Sequence, residues 1–363
     1  MHTNMIKYKP DCQEARERMI AWWAGEKTDR VVAQVSAPLK PADPLIKSIR
    51  DDVPAKYTDP ETVLSNMEYG LERTFWGGER FPTHFVYFGP MFHLTYLGCE
   101  PNFMPNTTWY EPCLQDWSEL PNIKFDPNNR WRQLSMKMRR LSMERATGRW
   151  FAIHVGVIAA LMDTICGLLG NEKTMLAMLE HPEAVKAALD RLMTWSRQTC
   201  DEVYNIGRSY QEGDIDWMQV WAPGKLISTQ CDMSVMISPE MFRDFVTPEL
   251  TDIYNHVDYG IYHLDGAEEI RHLDELLKIE KLHLIQWVPG TKLNNPDYKD
   301  PLRWLDLFRR IQEAGKKVLV YCPPERVRPL LDKIARDRVI LNISCADEQA
   351  ANKMLRELDS IGI

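Results

Sequence analysis

The chain has 363 residues, 44% of them hydrophobic and 26% charged, which is the composition of an ordinary globular protein. Lys and Arg total 44 against 52 for Asp and Glu, and this net charge of −8, without any basic tract, argues against nucleic acid as a partner. No run approaches the roughly 18 apolar residues that would cross a bilayer, and no apolar signal segment opens the chain, so we expect no membrane association and a cytoplasmic protein.

Short β-like runs alternate with helical patterns along the chain. Taken in order, the strands are predicted at residues 31–38, 84–89, 150–155, 217–223, 260–265, 282–288, 317–322 and 339–345. The clearest helical patterns lie at residues 13–23, 129–145, 182–207, 239–259, 301–314, 325–336 and 347–360. Ser238 before Pro239 is a typical helix start, because serine caps the free N–H groups and proline suits the first turn.

This alternation predicts an α/β protein, specifically a (β/α)8 TIM barrel that forms a single domain over residues 1–363. Residues 1–30 are expected to be an N-terminal helical extension. The stretch 98–129, rich in Pro, Asn and Trp, is expected to be a long insertion in the first half. A doubly wound open sheet is the alternative fold, but no GxGxxG or GxxxxGK[ST] motif is present to support nucleotide chemistry.

Barrel enzymes keep their active sites at the carboxyl ends of the strands, and this rule selects candidate residues. The side chains predicted to bind substrate are His154, Trp221, Gln230, Gln286, Trp287 and Tyr321. Asp232 follows the predicted fourth strand and could orient a substrate or accept a proton. The alternative for Asp232 is a turn residue that bonds its own backbone.

The most informative motif is His263-Leu264-Asp265-Gly266 at the end of the predicted fifth strand. Residues two apart on a strand point to the same face, so His263 and Asp265 lie side by side, and Gly266 permits a tight turn behind them. Together with Cys345, they supply three side-chain types that hold catalytic zinc. The alternatives are an Asp that caps the next helix beside a hydrogen-bonded His, and a Cys345 that is merely buried.

The eight cysteines are scattered and include no CxxC pair, which favours free thiols or an isolated metal ligand over disulfides. Cys322 is an alternative thiol to Cys345, and a packed thiol at a strand end is the competing interpretation for it as well.

The segment ISPEMFRDFVTPEL at residues 237–250 resembles the ISPEMFxxFVxPxL element of the uroporphyrinogen decarboxylase superfamily. That superfamily includes zinc-dependent methyltransferases, which move methyl groups between corrinoid proteins and thiols such as coenzyme M. His263-Leu264-Asp265-Gly266 falls where this branch has an H-x-C-G motif, and Ser344-Cys345 falls where it has Gly-Cys-Gly. The resemblance is clearest over residues 217–358.

The resemblance implies a (β/α)8 barrel with zinc held by His263, Asp265 and Cys345, and a corrinoid as the methyl carrier. Asp265 stands where the branch has a cysteine, and a carboxylate makes a harder metal site. The leading hypothesis is therefore a zinc-dependent methyltransferase that moves a methyl group between a corrinoid, free or protein-bound, and a small acceptor. Family members often pair, so a homodimer is a candidate assembly.

Two other functions fit the same residues. A metal-free decarboxylase or other lyase would use Asp232, His263 and Asp265 for acid–base work on a carboxylated substrate. A non-catalytic protein would use the barrel mouth to bind a corrinoid or another small molecule. Activity that survives a chelator would favour the lyase, and a ligand recovered unchanged would favour the binding protein.

Overall fold

The computed structural model describes residues 6–40, 52–152, 160–290 and 295–363. The strands are β1 (Val32–Pro38), β2 (Thr74–Gly78), β3 (Thr83–His84), β4 (Pro101–Phe103), β5 (Thr108–Tyr110), β6 (Phe151–Ala152), β7 (Asp214–Ile215), β8 (Trp221–Ala222), β9 (Leu226–Thr229), β10 (Tyr259–Asp265), β11 (Leu282–Val288), β12 (Lys317–Tyr321) and β13 (Val339–Ser344).

The α-helices are α1 (Cys12–Ala24), α2 (Val53–Thr58), α3 (Pro60–Leu71), α4 (Arg130–Ala146), α5 (Leu161–Leu169), α6 (Asn171–Glu180), α7 (Pro182–Gly207), α8 (Pro239–Met241), α9 (Thr247–His256), α10 (Leu273–Lys278), α11 (Pro296–Lys299), α12 (Leu305–Glu313), α13 (Val327–Leu331) and α14 (Glu348–Ile361). Short 3-10 turns occur at Phe92–Leu97, Trp117–Asn122, Asp232–Met236, Ala267–His272, Pro301–Trp304, Pro324–Arg326 and Arg336–Arg338. Within the described ranges, every helix is too short or too polar to span a bilayer.

A seven-stranded sheet forms the centre of the protein, in the order β2-β1-β13-β12-β11-β10-β9. Only the edge strand β2 is antiparallel to its neighbour, and every other pair is parallel. Parallel strands joined through helices confirm the predicted α/β class. A short parallel pair, β3 with β6, lies apart from this sheet. Across the described residues the strand pairing does not close into a ring, so the eight-stranded barrel stays a prediction.

The two faces of the sheet differ because alternate strand residues point to opposite sides. One face contributes to a buried apolar cluster through Val32, Ile261, Leu284, Leu319 and Ile340. Two residues further along the same strands, this face carries Gln34, His263, Gln286, Tyr321 and Asn342. The face is therefore apolar near the amino ends of the strands and polar near their carboxyl ends, which is where a site is expected.

The predicted fourth strand, residues 217–223, is wrong. This stretch crosses into a two-stranded hairpin in which Trp221 of β8 pairs with Ile215 of β7. The strand that joins the sheet is β9, which pairs in parallel with β10. All four residues of β9 are buried, so it lacks the in–out alternation that reveals longer strands.

The helix predicted at residues 239–259 is divided in the structure. A π-helical turn, Phe242–Val246, separates α8 from α9. Pro248 has no N–H to donate to the preceding turn, which explains a break in the regular bonding pattern there. The stretch at residues 98–129 contains the β4–β5 hairpin and one 3-10 turn, in keeping with the predicted insertion.

Candidate functional site

His263 and Asp265 lie at the carboxyl end of β10, where they are in register with Gln286 and Val288 of β11, respectively. The Nδ1 atom of His263 is hydrogen-bonded to Oε1 of Gln286, and its Nε2 atom lies 3.6 Å from Oδ2 of Asp265. The ring of Trp217 packs edge-on at a centroid distance of 5.1 Å. Because an amide oxygen only accepts, Nδ1 carries the proton of the neutral ring. Nε2, beside the carboxylate, is then the atom able to take up or release a proton.

Two glycines set the position of the Asp265 carboxylate. Gly266 has a φ of +118°, and its N–H donates to the Val288 carbonyl at 3.0 Å. Gly290 has a φ of +62°, and a Cβ atom there would lie 2.9 Å from Gly266 Cα and 3.3 Å from Asp265 Oδ1. Only glycine allows the loops after β10 and β11 to approach this closely.

The pair opens onto a cavity of about 850 Å³. Aromatic side chains make up much of its wall: Trp217, Trp287, Tyr298, Trp304, Phe308 and Tyr321. The Trp287 and Trp304 rings meet edge to face with centroids 4.7 Å apart. The polar side chains on the wall include His263, Asp265, Gln286, Lys299, Asn342 and Ser344. A concave, mainly apolar space with a few polar groups is typical of a small-molecule site.

Asp232 and Gln230 lie beside this cavity rather than on its wall. Nε2 of Gln230 donates to Oδ1 of Asp232 at 3.0 Å, and the backbone N–H of Asp232 donates to Asp163 at 2.8 Å. Desolvation and then the negative charge of Asp265 raise the pKa of Asp232, while His263 lowers it. Asp232, His263 and Asp265 therefore act on one another electrostatically.

The structure brings most of the predicted site residues together. Gln286, Trp287 and Tyr321 line the cavity with His263 and Asp265. Trp221 instead lies in the core, where it is 1% exposed and its Nε1 donates to the Glu212 carbonyl at 3.1 Å. The prediction for Trp221 depended on the wrong fourth strand. His154 lies outside the described residues.

The predicted zinc ligands do not form a group of three. In the part of the chain that the structure describes, no three His, Cys, Asp or Glu side chains are placed to hold a metal ion. Cys345 is buried, and burial followed by the charge of Asp347 raises the pKa of its thiol. Among the described residues, the three ligands implied for zinc are not placed as a metal site.

Sequence reasoning missed several residues of the site. Asn342 is a polar residue between the apolar residues Leu341 and Ile343 of β13, and this was a usable signal for an inward-facing functional position. Trp217 and Trp304 reach the cavity from irregular segments, where no periodicity shows the direction of a side chain.

No protein-family model matches the chain, and no curated protein matches it. Among solved structures, the chain is similar to a methyltransferase from Methanosarcina mazei, with a TM-score of 0.59 and 13% identity. The match covers 96% of this chain and 98% of that one. At this identity the likeness is one of fold, and it extends over nearly the whole length of both chains.

Proposed function

We propose that this chain is a methyltransferase that acts on a small substrate in the cavity. The observation that carries the proposal is the His263–Asp265 pair on the wall of an aromatic cavity. The shared fold with a methyltransferase supports it. The proposal includes a closed (β/α)8 barrel of the uroporphyrinogen decarboxylase superfamily, which would accommodate both the parallel sheet and the separate β3–β6 pair.

His263 acts as the proton-transfer group. As the methyl group reaches the acceptor heteroatom, the bond between the methyl carbon and its carrier breaks, the electron pair stays on the carrier, and a heteroatom–carbon bond forms. The heteroatom–hydrogen bond breaks, and Nε2 of His263 takes the proton. Asp265 stabilises the resulting imidazolium, and Gln286 holds the ring by accepting from Nδ1. In the reverse direction, the imidazolium protonates the heteroatom as the methyl group leaves.

The methyl carrier in this proposal is a corrinoid, free or bound to a partner protein. Its support is the sequence resemblance, and it enters the reaction as a second substrate. No step of the proposed reaction passes through zinc, because no three His, Cys, Asp or Glu side chains of the described residues are placed as the donor set of a zinc site.

A second candidate is decarboxylation, and Asp232 is the observation that favours it. Its raised pKa makes Asp232 a better proton donor near neutral pH than an ordinary aspartate. In that reaction a carbon–carbon bond breaks, carbon dioxide leaves, and the substrate carbon takes the proton of Asp232.

The test supplies methylcob(III)alamin and a panel of small thiols and phenols, including coenzyme M. Methyl transfer is followed by the absorbance of the corrinoid and by mass spectrometry of the acceptor. We expect kcat to fall about 100- to 10,000-fold in His263→Gln, because a general base is lost. His181→Gln, at a histidine stacked on Trp117 and away from the cavity, is the control and should retain full activity.

Equal methyl transfer in wild type and His263→Gln would contradict the proposed role. Release of carbon dioxide from small carboxylic acids, without methyl transfer, would favour the second candidate. Tight binding of methylcob(III)alamin that is recovered unchanged with every acceptor would favour a non-catalytic protein.

A further inference from the structure

Arg80 is a half-buried arginine whose charge has no carboxylate partner among the described residues. Its Nη1 atom donates to Oδ1 of Asn342 at 3.2 Å, and its guanidinium lies 6.0 Å from the ring centroid of Trp76. Its Nε atom is buried and has no hydrogen-bond partner in the part of the chain that the structure describes. A guanidinium carries several N–H donors, so most of the binding capacity of Arg80 is unused.

Two nearby arginines are neutralised by carboxylates. Arg30 forms two hydrogen bonds with the buried carboxylate of Glu79, at 2.9 and 3.0 Å, and a further ion pair with Asp359 at 3.2 Å. Arg18 bonds Glu79 and Asp29. A buried charge without a partner is costly, so a ligand that binds at the cavity wall can supply the carboxylate that Arg80 lacks among the described residues.

Arg80 stands directly behind the cavity wall. Asn342 and Tyr321 both line the cavity, and the positive charge of Arg80 lowers the pKa of Tyr321, although burial raises that pKa overall. Asn342 is fixed in place because its Nδ2 donates to Oε1 of Gln34 at 2.9 Å. The guanidinium is thus held against the side of the cavity formed by β12 and β13.

The cavity wall connects Arg80 to the proton-transfer pair. Asn342, which accepts from Arg80, is the register partner of Tyr321, and Leu319, two residues before Tyr321, is the register partner of Gln286. Gln286 is in turn hydrogen-bonded to His263. The wall residues His263, Gln286, Tyr321 and Asn342 belong to four adjacent strands, which lie about 4.8 Å apart in a sheet. A small molecule in the cavity can therefore extend from His263 to Asn342, the side chain that Arg80 contacts.

We propose that Arg80 is the anion-binding residue of this cavity and that it holds the carboxylate of a small aromatic substrate. The free N–H groups of a guanidinium match the two oxygens of a carboxylate, and the Trp217, Trp287 and Trp304 rings match a flat apolar body. The heteroatom to be methylated then faces His263. The inference rests on the proposed function in placing the substrate in the same cavity.

The test measures binding of benzoate and of benzamide, its neutral counterpart, by titration calorimetry. Wild type should bind benzoate more tightly than benzamide. Arg80→Met should weaken benzoate binding about 10- to 100-fold, the value of a hydrogen bond to a charged group, and leave benzamide binding unchanged. No methyl donor is present, so the result is independent of whether methyl transfer is observed.

Arg130→Met is the matched control, because Arg130 is an exposed arginine that does not line the cavity. Solvent screens an exposed charge, so benzoate binding should change less than about 2-fold. Arg80→Lys keeps the charge without the planar fork and should recover part of the benzoate affinity. Benzenesulfonate, titrated in parallel, should bind wild type more weakly than benzoate.

Thermal unfolding shows whether Arg80 has a structural role instead. The Tm of Arg80→Met should equal or exceed that of wild type, because an unpaired buried charge is removed. A lower Tm, benzoate binding unchanged in Arg80→Met, or equal losses in Arg80→Met and Arg130→Met would each overturn the proposal. No preference of wild type for benzoate over benzamide, or a preference for benzenesulfonate, would overturn it as well.

Discussion

Glu79 and Arg80 are neighbours in the sequence, but their charges have different surroundings. The charge of Glu79 is neutralised by arginines, whereas Arg80 has no carboxylate partner among the described residues. The carboxylate of Glu79 is fully buried and accepts hydrogen bonds from Arg18, from Arg30 and from the backbone N–H of Ala33, the last at 2.8 Å. Arg80 lies against the cavity wall, and Asn342 is the one side chain among the described residues to which it is hydrogen-bonded. Among the described residues, the charges around Glu79 are paired with one another, whereas Arg80 retains N–H groups without an acceptor.

The two regions show how charged groups that stabilise the fold differ from charged groups that can bind a ligand. Around Glu79, the charged side chains are paired with one another, since an unpaired buried group is costly. At the cavity, Arg80, His263 and Asp265 retain capacity for a further partner. The two regions should therefore respond differently to substitution, with stability lost at the first and ligand binding or turnover lost at the second.

The largest effect on stability is expected for Glu79→Gln. An amide cannot neutralise the two arginines, so the free energy of unfolding should fall by about 3–5 kcal/mol. Chemical denaturation followed by circular dichroism measures the change. Glu100→Gln is the control, because the Glu100–Arg130 ion pair is exposed on both sides and its loss should have no resolvable effect. A Glu79 variant as stable as this control would contradict a structural role for the network.

A somewhat smaller effect that depends on pH is expected for Asp216→Asn. Asp216 is fully buried, accepts from the Val220 N–H at 2.8 Å, and is hydrogen-bonded to Ser228. Burial raises its pKa from 3.8 to about 7. Between these values the unfolded chain ionises while the folded protein keeps the proton, so the stability of wild type falls as pH rises through this window.

Asparagine does not titrate. The free energy of unfolding of Asp216→Asn should therefore rise relative to that of wild type by up to about 4 kcal/mol between pH 4 and pH 7, with no further relative rise above pH 7. Urea denaturation at pH 4, 5.5, 7 and 8 measures the difference. A difference that is the same at all four values would show that Asp216 is ionised throughout, and the buried carboxylate would then need a cation close by.

The smallest effect on stability is expected for Gly290→Ala, at about 1–3 kcal/mol from the positive φ and the contact with Gly266. Methyl-transfer activity should fall by more than the loss of folded protein would cause, because the new Cβ atom displaces the Asp265 carboxylate. Gly315→Ala is the control, since it has a φ of +82° but nothing within 4 Å of the added carbon. If both variants keep full activity, the position of Asp265 does not matter for turnover.

Much of this arrangement could be predicted from the chain. The strand at 282–288 is found with the predicted bounds, and the strand-end rule identified His263, Asp265, Gln286, Trp287 and Tyr321, which line one cavity. The rule succeeds because long parallel strands have clear apolar patterns and all end at the same side of the sheet. Where a strand is short and wholly buried, as β9 is, the pattern carries no such information.

By itself the sequence determined the α/β class, the later strands and the His-x-Asp-Gly turn, because these follow from local periodicity and from the freedom of glycine. Only the tertiary structure decided which side chains meet. It placed Trp221 in the core, did not group Cys345 with His263 and Asp265 as a metal site among the described residues, and set Arg80 beside Asn342 across 262 positions of chain. Contacts between distant segments depend on how the elements pack, and no local pattern records that packing.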